Sequence, residues 1–72
     1  MKFQVIVTFD EEYKGYVVEV PELPGCYSQG KTIDEAMSNA KDAIQGALTT
    51  LERNGEPYVQ QGRPVLVGEI AV

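Results

Sequence analysis

Three consecutive acids, Asp10-Glu11-Glu12, form the one carboxylate cluster in the sequence. Grouped carboxylates can share a proton or hold a cation, so they are where acid–base or metal chemistry would be sought. Their setting argues against it. They lie in a polar stretch before Gly15, the ordinary place for solvated charges in a hairpin loop, and they lack the spacing of a calcium loop. Glu19 and Glu69 have no partner nearby in sequence. Cys26 is the single thiol, and the chain has no histidine. A nucleophilic thiolate needs a base or cationic neighbours, and the nearest cation in sequence is Lys31. A structural cysteine is the better reading. Without a second thiol or a histidine there is no intrachain disulfide, no usual structural zinc site and no histidine-based triad. Gly25 and Gly30 are isolated turn glycines rather than a phosphate-binding loop. Tyr13, Tyr16 and Tyr27 could stack on bases, but they come without a basic groove.

Composition narrows the partners. The chain has 72 residues and a formal net charge of −5. Its cations, Lys2, Lys14, Lys31, Lys41, Arg53 and Arg63, are scattered. Nucleic-acid affinity rests on clustered cations, so direct DNA or RNA binding is not expected. An acidic surface suits solubility, and also suits a basic protein partner, with Asp10, Glu11 and Glu12 as candidate steering charges. Nothing approaches the roughly 20 apolar residues of a membrane helix, and the amino terminus does not read as a signal peptide. A cytoplasmic location is expected. No cofactor and no metal are expected.

The elements that must position these residues are legible as periods. Lys2–Phe9 alternates, with Phe3, Val5, Val7 and Phe9 on one face and Gln4, Ile6 and Thr8 on the other, which predicts a strand. Tyr16–Val20 reads as its hairpin partner. Pro21-Glu22-Leu23-Pro24-Gly25 then breaks the ladder, because neither proline can donate to a sheet. Cys26–Gly30 reads as a short edge strand. Thr32 with Glu35 has capping-box spacing and opens a helix. Ile33, Ala36, Met37, Ala40, Ala43, Ile44, Ala47, Leu48 and Leu51 supply its apolar stripe, and Asn54-Gly55 its end. Val65–Val72 reads as a last strand, apolar on both faces.

The order predicts one α+β domain over residues 1–72. It is a two-layer β-β-β-α-β unit with a four-stranded sheet in the order 3-2-1-4 and one helix on one face. That leaves the opposite face, with Ile6 and Val17, uncovered. Such a face usually marks an interface, so a homodimer is expected. The topology resembles the first part of a ribonuclease H fold. Enzymes of that fold carry an acid in the middle of the first strand, and here that stretch is Val5-Ile6-Val7. Two-metal chemistry is therefore not expected, and the protein reads as a non-enzyme.

Pro21-Glu22-Leu23-Pro24-Gly25-Cys26, preceded by Gly15-Tyr16 and followed by Gly30, Thr32, Glu35, Ala36, Ala40 and Ala43, resembles the HicB antitoxin family. The resemblance spans about residues 1–57. It implies a partial ribonuclease H fold and a protein that binds and neutralises a small messenger-RNA-cleaving toxin, HicA. Family members usually add a carboxy-terminal DNA-binding module; this sequence ends with the last strand, so no such domain is expected. The alternative is a small dimeric domain of the same family with a different ligand. The physical role of the Pro21–Cys26 motif is structural: it ends one strand and re-aims the chain.

Overall fold

The computed structural model describes residues 1–59 and 69–72. Its elements are β1 (Ile6–Asp10), β2 (Gly15–Glu19), β3 (Tyr27–Gly30) and α1 (Ile33–Arg53). Among the described residues the sheet is antiparallel with the order β1-β2-β3. Of the expected fourth strand, Val65–Val72, residues 65–68 lie outside the described residues, and Glu69–Val72 are exposed without regular structure. The order 3-2-1-4 therefore reduces here to its three antiparallel strands and the helix.

The strand bounds differ from the alternation. β1 starts at Ile6, not Lys2, because Ile6 pairs with Glu19, the last residue of β2. Beyond Glu19 the partner chain reaches Pro21, which has no N–H to give. Phe3 and Val5 still pack inward, against the cluster of Val20, Leu23 and Cys26.

The β1–β2 loop is held by its own acid. Asp10 Oδ1 accepts the backbone N–H of Glu12 at 2.9 Å and of Tyr13 at 2.8 Å. The Lys14 N–H donates to the Asp10 carbonyl at 2.7 Å, with Lys14 in the left-handed region at φ 57°. This is an Asx-type closure, in which a short polar side chain replaces a backbone partner.

Helix α1 is capped at both ends. Thr32 Oγ1 accepts the Glu35 N–H at 3.0 Å. The Glu35 carboxylate reaches back to the Lys31 N–H at 3.1 Å, one residue earlier than in a standard capping box. At the other end the Glu56 N–H donates to the Leu51 carbonyl at 2.9 Å and the Gly55 N–H to the Glu52 carbonyl at 3.1 Å. That pair of bonds is a Schellman closure. Thr32→Ala is expected to lower stability by about 1 kcal/mol, the usual loss for an N-cap acceptor. A urea melt that does not move would show that Glu35 alone holds the helix start.

Cross-strand register sorts the faces. The rows Val7–Val18–Ser28 and Phe9–Tyr16–Gly30 face the helix. The rows Ile6–Glu19–Tyr27 and Thr8–Val17–Gln29 face away. Val18, Ala36 and Ala40 form one fully buried cluster. Two alanines at the crossing let the helix lie close to the sheet. The helix runs over β3 and β2, not β1. Val7 and Phe9 are therefore 39% and 48% exposed, although they sit on the helix side. Ile33 and Met37 are likewise exposed rather than buried. The true inner stripe is Ala36, Ala40, Ala43, Ile44, Ala47, Leu48 and Leu51, with only the first two fully buried.

Candidate functional site

The Pro21–Cys26 motif is two successive β-turns. The Leu23 N–H donates to the Val20 carbonyl at 3.0 Å, and the Cys26 N–H donates to the Leu23 carbonyl at 2.9 Å. Each turn has proline at its second position, where φ is already set. In the second turn Gly25 follows Pro24 with φ 80°, the left-handed value that a type II turn requires. The Val20 N–H donates to the Cys26 carbonyl at 3.1 Å and closes the frame. Leu23, between the turns, points into the core and is 4% exposed. Cys26 is buried and unpaired beside it.

Glu22 faces the other way and joins distant segments. Its Oε2 accepts the Tyr58 hydroxyl at 3.1 Å, and its Oε1 the Gln4 N–H at 3.5 Å. The Tyr58 ring packs on Phe3 with centroids 5.5 Å apart. Partial burial, then the Glu22 hydrogen bond and charge, hold the Tyr58 hydroxyl above its ordinary pKa of 10.0. A raised pKa stabilises the fold fully below the unfolded value, and that contribution fades as pH rises through the folded one. Tyr58→Phe should therefore delete a tyrosinate absorbance step lying above pH 10.0. An alkaline titration with that step intact would contradict the contact.

The candidate steering acids divide. Asp10 is half-buried and its carboxylate is committed to the loop backbone, whereas Glu11 and Glu12 are exposed. Lys31 donates to the Tyr13 carbonyl and sits 3.7 Å over the Tyr13 ring, a cation–π contact that ties β3 to this loop. Among the described residues no three of His, Cys, Asp and Glu converge where they could hold a metal ion.

Among the described residues no element covers the sheet face that carries Ile6, Val17, Thr8, Glu19, Gln29 and Tyr27. Ile6 is 39% and Tyr27 59% exposed, and Val17 is half-buried. Sequence alone offers Tyr27 as a strand residue and stacking candidate, not as part of this face, and it offers no link between Glu22 and Tyr58. The register that places Tyr27 opposite Glu19 follows from the turn geometry, and no periodicity links Glu22 to Tyr58. On the opposite side an apolar groove of about 360 Å³ runs between the amino-terminal segment and α1, lined by Phe3, Val5, Met37, Ile44 and Leu48 among others. The outer edge of β3 is partly blunted, since Asn39 Nδ2 donates to the Gln29 carbonyl at 2.9 Å. Among the described residues no helix is long and apolar enough to cross a membrane.

This arrangement is one of surfaces. Residues 3–65 match the model of the HicB_like antitoxin of bacterial toxin-antitoxin system. A UPF0150 protein of Thermoplasma acidophilum is 50% identical over 56 residues, covering 78% of this chain and 80% of that protein. A UPF0150 protein of Helicobacter pylori is 36% identical over 66 residues, covering 92% and 89%. The crystal structure of the N-terminal domain of Burkholderia pseudomallei antitoxin HicB superposes with a TM-score of 0.76 at 38% identity, covering 90% of this chain and 74% of that one.

Proposed function

Because the chain belongs to the HicB-like antitoxin family, we propose that it is a non-catalytic binding protein that neutralises a HicA-type messenger-RNA-cleaving toxin by direct contact. The observation that supports this best is the likeness to an antitoxin domain over most of the chain. The described surface fits this reading, since it offers apolar side chains such as Ile6 and Tyr27 and acids such as Glu11 and Glu12 for contact.

Two surfaces have distinct parts in this reading. The net charge of −5, with Glu11 and Glu12 free at the β1–β2 loop, draws a basic RNA-binding partner at long range. The same charge disfavours a phosphate backbone, so the chain itself does not bind operator DNA or RNA. The rows holding Ile6 and Val17 pair two copies into a homodimer, which works in the cytoplasm without cofactor or metal.

Co-expression with an adjacent HicA-like reading frame, read by pull-down and rescue of growth, tests the proposal. Rescue with a stable complex is the expected result. Neither binding nor rescue would leave the alternative of a family domain serving another ligand, and metal-dependent RNA cleavage by the purified chain would overturn the binding role altogether. Light scattering at micromolar concentration should give twice the monomer mass of 7.9 kDa, shifted toward one copy by Ile6→Lys.

A further inference from the structure

We infer that the HicA-type toxin docks on the helix side of β1, on an apolar patch made by Val7, Phe9, Ile33 and Met37. The inference rests on the antitoxin reading for the nature of the partner, an RNA-cleaving protein, and adds where that partner sits. The patch follows from the offset of the helix. Because α1 runs over β3 and β2, Val7 and Phe9 stand beside the helix rather than under it. They are 39% and 48% exposed, and Ile33 and Met37 are 51% and 42% exposed. Asn39 on one flank of α1 reaches the β3 edge, whereas Met37 on the other shares a groove with Val5 of the amino-terminal segment. Ile33 lies one turn before Met37 and so on the same flank. Tyr16 joins the two halves of the patch. Its ring meets Phe9 edge-on with centroids 5.4 Å apart, and it packs against the Val18–Ala36–Ala40 cluster. Large apolar side chains on a packed floor have the composition of an interface centre, where aromatic residues and methionine are enriched and charges depleted.

Charge selects the occupant. The β1–β2 loop and the start of α1 lie at the same end of the sheet, tied by Lys31 over the Tyr13 ring. There Glu11, Glu12 and Asp34 are exposed, just beyond Phe9 and beside Ile33. Asp10 and Glu35 add charge, although their carboxylates accept backbone N–H groups. Among the described residues the opposing cations at this end are Lys14 and Lys31, and Lys31 is held against Tyr13. Lys41, one turn beyond Met37, marks where the acidic rim stops. A protein that cleaves RNA carries cations to hold the phosphate backbone, so it meets this rim with opposite charge. A second copy would bring the same acids against themselves across a two-fold contact, which is repulsive. The opposite sheet face, whose rows hold Glu19 as their one acid, escapes that penalty and is left for self-association.

Binding kinetics of the full chain with purified, inactivated toxin from the adjacent HicA-like reading frame test the patch. The double variant Ile33→Ala with Met37→Ala should dissociate about ten-fold faster or more, with association little changed, because apolar contacts hold the complex together. Glu11→Lys with Glu12→Lys, in an exposed loop that disturbs no packed side chain, should associate about five-fold more slowly at low salt, and the difference should shrink at high salt. Asp42→Ala, on the outer helix face, should change neither rate. Light scattering should give both double variants the wild-type mass. Wild-type binding with an unchanged dissociation rate in Ile33→Ala with Met37→Ala overturns the patch and leaves the antitoxin reading standing. Absence of wild-type binding overturns both. A shift of that same variant toward one copy overturns the patch as well, because its side chains would then join two copies of this chain.

Discussion

Leu23→Ala is expected to remove about 2–5 kcal/mol of stability, the range for truncating a buried leucine. Leu23 is the largest residue of the Pro21–Cys26 motif in the core, packed with Val20 and Cys26 beside Ala43, Ala47 and Leu48 of the helix. The two turns fix the backbone on either side of it, so the site cannot collapse to close the void. Folded domains are stable by only about 5–15 kcal/mol, and a chain of this size sits near the lower end. Urea denaturation should therefore show a much lower midpoint with little change in slope. A loss under about 1 kcal/mol would mean that the frame relaxes, in conflict with its three backbone hydrogen bonds.

Gly30→Ala should destabilise by about 1–3 kcal/mol or more through overpacking. A Cβ at Gly30 would lie 2.5 Å from the Ala36 nitrogen and 2.9 Å from the Ala36 Cα. These are backbone atoms of the first helical turn, held by Thr32 and by the Ser28 hydroxyl, which donates to the Ala36 carbonyl at 3.3 Å. No flexible side chain is there to move aside. The helix must lift from β3, loosening the Val18–Ala36–Ala40 contact. Gly46 supplies the control. A Cβ there meets nothing within 4 Å. Gly46→Ala should be neutral or stabilising by up to about 1 kcal/mol through helix propensity. If both variants lose the same stability in one set of melts, the close approach at Gly30 is not real.

Local signals in the sequence reached the local structure. Thr32 as the helix start, Asn54-Gly55 as its end and the proline–glycine turn each depend on residues a few positions apart, and such effects are written in neighbouring side chains. Rotation of the helix about its axis is not local. Ile33 and Met37 share the apolar period, yet they are exposed because the alanines, not the larger residues, sit at the sheet crossing. Alternation likewise extended the first strand back to Lys2, since period two marks which face a residue takes and not whether a partner strand is opposite. Glu22 was read as part of a structural turn. Its bond to Tyr58 spans 36 positions and leaves no pattern in sequence. Asp10 was read with Glu11 and Glu12 as a solvated charge, but its one-carbon reach suits the loop amides.

The helix lies over β3 and β2 and leaves β1 at the margin. This has a consequence for how the chain assembles. β2, the two-turn frame, β3 and α1 are contiguous from Gly15 to Arg53, so their mutual contacts close only short loops. Short loops lose little chain entropy on closure, and folds rich in local contacts cross their barrier quickly. The contiguous unit is therefore the natural nucleus, with Val18 meeting Ala36 and Ala40 early. The β1–β2 hairpin closes a shorter loop still, across residues 11–14, but β1 lies at the margin of the helix and so extends the sheet without completing the core. A hairpin alone thus buries little, and the sheet acquires its core only once the helix has been made.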